Sequence, residues 1–225
     1  MRPEGLDPPR GESPLGGISP HIEMNSKAMD MVDVAFSLRG GTIPADHGWH
    51  LFRLLAERLD WLAAEANAGV HPIRGSRAVA GEIYLGARAR LMLRLPRERV
   101  EPSFALSGAR LDLGNSVEVG SARLRPLFAH GTLYSQFVAM GAPDEAGFQR
   151  DVSAELQRAG IGCKVICGRM RHAQTQGAEI VGFSLMLHEL SPEHSLRMQA
   201  AGLGAGRKLG CGIFVPHKSA GAVGS

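Results

Sequence analysis

One order of elements can be read twice along this chain, and that duplication limits the folds open to it more than any other feature. Val32, Val34, Phe36 and Leu38 alternate with Asp33, Ala35, Ser37 and Arg39, the period-two pattern of a strand with one buried face. Gly40 and Gly41 end it. Pro44-Ala45-Asp46 supplies helix-start chemistry, and Leu51, Leu54, Leu55, Leu59 and Leu62 follow at helical spacing. Strand patterns over 78–85 and 88–95, a short helix over 97–106 and one or two strands over 109–127 complete the first copy. The second copy opens near Thr132, with a strand from Leu133 to Met140. Asp144 then caps a helix carrying Phe148, Val152 and Leu156, and Gly160 stands where a helix C-terminal glycine belongs. Ile161 to Cys167 reads as a strand, 168–177 as a polar, basic hairpin tip, and Val181, Phe183, Leu185 and Leu187 as the returning strand. Ser191-Pro192 opens a short helix over 193–201, and after a glycine-rich loop Cys211 to Val215 makes the last strand. Two βαββαβ units in tandem predict an α+β protein of two ferredoxin-like, RRM-like domains, 29–130 and 131–218. Residues 1–28, with Pro3, Pro8, Pro9, Pro14 and Pro20 among glycines, read as a disordered leader, with Met24, Met29 and Met31 as later starts and 219–225 as a tail.

A net charge of +3 does not by itself announce a nucleic-acid binder, but the distribution is uneven. Of 25 basic residues 21 are arginine, whose planar fork suits phosphate oxygens, although a GC-rich gene gives the same bias. Between Arg74 and Arg125 ten arginines face five acids, which makes this stretch the expected phosphate-tracking surface. The three cysteines, Cys163, Cys167 and Cys211, form no CxxC pair, so free thiols in a reducing cytoplasm are expected rather than a disulfide scaffold or a structural zinc. No apolar run approaches the ~20 residues of a membrane span, and no stretch has signal-peptide character, so a cytoplasmic protein is expected.

The segment Gly202-Leu203-Gly204-Ala205-Gly206-Arg207-Lys208-Leu209-Gly210-Cys211-Gly212 runs into Ile213-Phe214-Val215. Glycines let a backbone approach a phosphate and turn its N–H groups toward it, and Arg207 and Lys208 add charge at the same place. No GK[ST] follows a GxxxxG, so a nucleoside triphosphate is not implied; the bland alternative is a flexible linker.

This loop, continued as GCGIFVPHK, resembles the C-terminal glycine-rich signature of CRISPR-associated repeat endoribonucleases of the RAMP superfamily. The opening VDVAFSLRGGTIPADHGWHLFRLLAERL resembles the family's first strand and helix, most like its Myxococcus-type branch. The resemblance spans about residues 31–218 and is weakest through 97–130. It implies two ferredoxin-like domains and a single cut within each repeat of a CRISPR precursor transcript; no cluster of acids suggests a two-metal nuclease, so a cut without metal or cofactor is expected. The expected products carry a 2′,3′-cyclic phosphate and a 5′-OH. The partners it implies are the stem-loop repeat RNA, the mature guide RNA and other subunits of an interference complex. His47 matches the family's acid–base histidine near the start of the first helix; imidazole, with a pKa of ~6.5, can take or give a proton near neutrality. His50, one turn later, is a second candidate. Where the family often places a tyrosine or lysine to steady the phosphorane, this chain offers Arg53; Tyr84 and Tyr134 read as half-buried strand residues. The expected RNA contacts are Gly202, Gly204, Gly206, Arg207, Lys208 and Gly210 in the loop, and Arg169, Arg171 and His172 on the hairpin. The alternative is a module that binds repeat RNA without cutting it; an unrelated ferredoxin-like enzyme lacks a cofactor fingerprint here.

Overall fold

The computed structural model describes residues 30–77 and 81–218; the expected leader and tail, and the start of the 78–85 strand, lie outside them. The first half runs β1 (Met31–Arg39), β2 (Thr42–Pro44), α1 (Gly48–Ala56), β3 (Gly69–Val70), β4 (Ser76–Arg77), β5 (Glu82–Tyr84), β6 (Arg90–Pro96), α2 (Val100–Ser103), β7 (Arg110–Asp112) and β8 (Ser116–Pro126). The second runs β9 (Thr132–Val138), α3 (Glu145–Arg158), β10 (Lys164–Gln174), β11 (Glu179–His188), α4 (Pro192–Ala201) and β12 (Val215–Pro216). The sheets have orders β3-β6-β1-β8-β7 and β10-β11-β9-β12. Apart from the added β7 edge, each places its second and third strands on one side of the first and its fourth on the other. This is the ferredoxin-like order, twice. Among the described residues no helix is long and apolar enough to cross a membrane.

Local chemistry explains the elements that match expectation. Phe36 faces Leu91 and Val34 faces Leu93 across the β1–β6 ladder, and these residues pack with Leu51, Leu55, Leu59 and Leu62 in one core. Asp144 accepts the Gly147 N–H at 2.7 Å to start α3, whose Phe148, Val152 and Leu156 enter the second core. Ser191 does the same for α4 through the His194 N–H at 3.1 Å, with Pro192 in the first turn.

Several expectations are corrected. The second strand of the first sheet is the two-residue β3, not 78–85; what is described of that stretch, β5, pairs instead with β2 and β4 in a small separate sheet. The helix α1 ends at Ala56, and Leu59 and Leu62 reach the core from the turns beyond it. The expected 168–177 tip is mostly strand: β10 continues to Gln174 past a register shift between Cys167 and Met170, placing Arg169, Arg171 and His172 on a long ladder. Asp33 and Ala35, read as solvent-facing, are buried because the second half covers that face of β1.

The glycine-rich loop is a packed element. Gly202, Gly204, Gly206, Gly210 and Gly212 all have positive φ, and a Cβ on Gly204 would overlap the Ala139 carbonyl oxygen. The backbone therefore requires glycine there whatever the loop binds. The positive φ at Gly212 also breaks the extended run, so the last strand is only β12 rather than Cys211 to Val215. Gly204→Val is expected to lower stability by about 1–3 kcal/mol, read as a fall in melting temperature; an unchanged Tm would show the loop to be loosely held.

Candidate nucleic-acid interface and active site

His47 sits at the N-cap of α1, but its ring is turned inward and is only 5% exposed. Nδ1 lies 2.9 Å from the Pro44 carbonyl oxygen, and Nε2 accepts the Ile73 N–H at 3.0 Å. Pro44 can only accept, so Nδ1 carries the proton and Nε2 the lone pair. Burial lowers the pKa of His47, opposed by the carbonyls of Pro44 and Ala45 and by the charge of Asp46, so the ring is neutral at neutral pH.

Around it the two halves enclose three adjoining clefts of about 290, 470 and 760 Å³, which share Pro72 and Gln136 in their walls. The smallest is lined by His47 and His71 from one half and by Arg171 and His172 on β10 from the other. The β10 hairpin is tied to this site by the Gln174 N–H, which donates to Asp46 Oδ2 at 2.9 Å. Arg171 Nε is buried there and its N–H donates to no partner. The middle cleft adds Arg74 and Tyr134, whose ring packs at a tilt against His217 with centroids 5.4 Å apart. The largest brings together Arg74, Arg88, Arg90 and Arg125, four of the arginines in the expected basic stretch, with Phe128 exposed beside them.

The other expected site residues divide. His50 is exposed and lines none of these clefts. Arg53 is also turned away, pairing at 3.7 Å with Glu57 on the outer face of α1. This corrects the expectation that Arg53 stands beside His47. Arg169 is exposed, while His172 lies 3.1 Å from Glu179 at the rim. In the glycine loop Gly202 and Gly210 are buried and Lys208 donates to the Ala63 carbonyl at 2.5 Å. Arg207 is corrected as a surface cation: it donates inward to the Ala201 carbonyl, and its Nε and Nη2 are buried without a partner. Burial, and then repulsion from Arg94, bring its pKa down to about 9 against the attraction of Asp33.

A buried ionic cluster lies outside the expected site residues. Arg94 donates to both carboxylate oxygens of Asp33, at 2.8 and 2.9 Å, and His71 Nε2 lies 3.2 Å from Asp33 Oδ1. The remaining Arg94 nitrogen donates to the carbonyls of Gln199 at 2.8 Å and Phe214 at 2.7 Å, clasping the second half to the first. Burial works against the Asp33 carboxylate, but the hydrogen bonds and charges of His71 and Arg94 outweigh it and hold its pKa far below the usual range. A signal was available: an aspartate inside an apolar strand, and an arginine between Leu93 and Leu95. Among the described residues no three His, Cys, Asp or Glu side chains converge as a metal site.

Two ferredoxin-like sheets closing on an arginine-lined cleft with two histidines in its walls define the class: a duplicated ferredoxin-like protein with a basic cleft between its halves. The family model described as Cas6 Crispr matches residues 32–219, and the chain belongs to that family. It is 37% identical over 190 residues to the CRISPR-associated endonuclease Cas6 of Myxococcus xanthus (strain DK1622), covering 84% of this chain and 82% of that protein. Among solved structures, a CRISPR-associated protein Cas6 aligns with a TM-score of 0.61 at 11% identity, covering 84% of this chain and all of that one. A RAMP protein described as binding different RNA substrates aligns with a TM-score of 0.63 at 10% identity over 83% of this chain and all of the other. At those identities the likeness is one of fold.

Proposed function

We propose that this protein is an endoribonuclease that cuts CRISPR precursor RNA within its repeats, by attack of the ribose 2′-OH on the adjacent phosphate. The observation that carries the reading is the inter-domain cleft, in which a neutral, carbonyl-oriented histidine lies next to an arginine-lined channel. The similarity to the Myxococcus endonuclease supports the same substrate class. The four channel arginines track phosphates and so set register rather than sequence. Repeat RNA and the guide it yields are the partners of this channel, which other subunits of an interference complex would share.

In the cut, Nε2 of His47 takes the proton of the 2′-OH. That lone pair is held by Ile73, so entering RNA first displaces this hydrogen bond; such tightening and exchange on substrate binding is ordinary. Arg171, unpaired in the same cleft, faces the charge that builds on the phosphorane. The P–O2′ bond forms, the P–O5′ bond breaks, and the products are a 2′,3′-cyclic phosphate and a 5′-OH. The competing reading, a repeat-binding subunit that does not cut, draws its support from the same tether, since a histidine with both nitrogens engaged is also a structural pin.

One experiment separates them. A labelled stem-loop repeat RNA incubated with the protein in EDTA is expected to be cut once. A 2′-deoxy nucleotide upstream of the cut is expected to abolish cleavage and spare binding. Strict Mg²⁺ dependence, or cleavage of the deoxy substrate, would exclude 2′-OH attack; tight binding without any cut would leave the binding module.

A further inference from the structure

The reaction proposed above moves two protons, one off the 2′-OH and one onto the leaving 5′-oxygen, and one histidine cannot be in both places in a single step. We infer that His71 is the second proton-transfer group, the general acid that protonates the 5′-oxygen, and that Asp33 is its positioning residue. The inference rests on the proposed cleavage reaction and adds a residue to it.

His71 lines both the smallest cleft, with His47 and Arg171, and the arginine channel, so it stands where the two meet. The backbone ties it to the other histidine: His47 Nε2 holds the N–H of Ile73, two residues further on. Asp33 engages His71 through Nε2 at 3.2 Å. That contact holds the ring by Nε2 and leaves Nδ1 as the free nitrogen of a buried side chain that lines both clefts. A carboxylate behind an imidazole selects its tautomer and stabilises the imidazolium, as an acid requires.

The groups facing His71 are Asp33 on β1, Arg94 on β6 and Arg207 on the glycine loop. Burial lowers its pKa, Asp33 opposes this, and the charges of Arg94 and Arg207 add to the lowering. The free enzyme therefore holds His71 neutral at neutral pH, and an RNA phosphate entering the cleft supplies the negative charge that favours its protonated form. The proton balance closes. His47 Nε2 accepts the 2′-OH proton as P–O2′ forms, and His71 Nδ1 delivers one to O5′ as P–O5′ breaks. His47 then releases its proton to solvent and His71 takes one up, restoring both for the next cut.

A bridging sulfur at the 5′ position tests this directly. A thiol has a pKa of about 8.5 and departs as thiolate, so the step no longer needs an acid. His71→Gln keeps a donor for Asp33 while losing the titrating ring. Full-length wild-type, His71→Gln and His47→Ala proteins are compared in EDTA under single turnover, on repeat RNA with oxygen or sulfur at the mapped cut. On oxygen RNA His71→Gln is expected to be slower by about 10²–10⁴-fold. On sulfur RNA it should return toward the wild-type rate, which also shows that it folds, whereas His47→Ala should stay slow on both. The wild-type pH profile gives a second readout: its alkaline limb, where the acid loses its proton, should vanish on sulfur RNA. A wild-type rate for His71→Gln on oxygen RNA would overturn the inference. Equal defects on both substrates with normal melting and RNA affinity, or an alkaline limb that persists with sulfur, would do the same. Failure of the wild-type protein to cut oxygen RNA in EDTA would instead overturn the cleavage reading itself.

Discussion

His47→Ala is expected to slow single-turnover cleavage of repeat RNA by about 10²–10⁴-fold, the usual loss for one proton-transfer group. The buried ring also caps the Ile73 N–H, so its removal strands a buried donor and costs about 1–3 kcal/mol of stability. His47→Gln separates the two effects: an amide oxygen can still accept from Ile73, so melting should recover while cleavage does not. RNA affinity should hold within a few-fold in both variants, because on the proposed reading the arginines lining the largest cleft, Arg74, Arg88, Arg90 and Arg125, carry the phosphate contacts. His50, exposed on the outer side of α1, is the control, and His50→Ala should cut like the wild type. Wild-type cleavage by His47→Gln would remove His47 from the chemistry and leave it as a structural tie.

Arg94→Ala is expected to be the most destabilising single change, by about 3–5 kcal/mol, measured as the shift in a denaturant or thermal melt. It leaves the Asp33 carboxylate buried without its bidentate partner and strips the Gln199 and Phe214 carbonyls of their donor. Acid should show the same pair from the other side. The folded-state pKa of Asp33 is held below its unfolded value of about 3.9, so its contribution is complete above that pH and is lost as pH falls further. Asp33→Asn should flatten this acid limb of the stability curve. An unchanged limb, or an Arg94→Ala protein that melts with the wild type, would show the clasp to be dispensable.

The contrast between residues that could and could not be read from the sequence follows the range of the interactions that place them. Asp144 and Ser191 announce helices because each cap bonds to an N–H three residues away. Val34 and Phe36 announce a strand because alternation is local. The two-residue β3 gives no such signal; it exists only because β6 offers it a partner, at Gly69–Arg94 and Val70–Leu93. The fate of Asp33 depends on residues more than 60 positions away, so a period-two reading sends it to solvent, and the structure buries it. Arg207 fails for the same reason: a cation between glycines reads as exposed until the first half is set against it. His47 is legible through the family resemblance, but its inward turn and its tie to Ile73 are tertiary facts. His71, set between Val70 and Pro72, carries no pattern of its own.

The Arg94 clasp also bears on how the molecule comes into being. Its bond to the Phe214 carbonyl spans 120 residues, and its bond to Gln199 spans 105. During synthesis from the amino end, the first half emerges with Asp33 and Arg94 already able to pair, yet two of the guanidinium's donations wait for the far end of the chain. No nascent fragment ending before Phe214 can make both. The two histidines are therefore delivered early by one half, and the wall that encloses them is delivered last by the other. A ribosome that stalls, or a protease that clips the glycine loop, releases a chain with both histidines but an unfinished cleft.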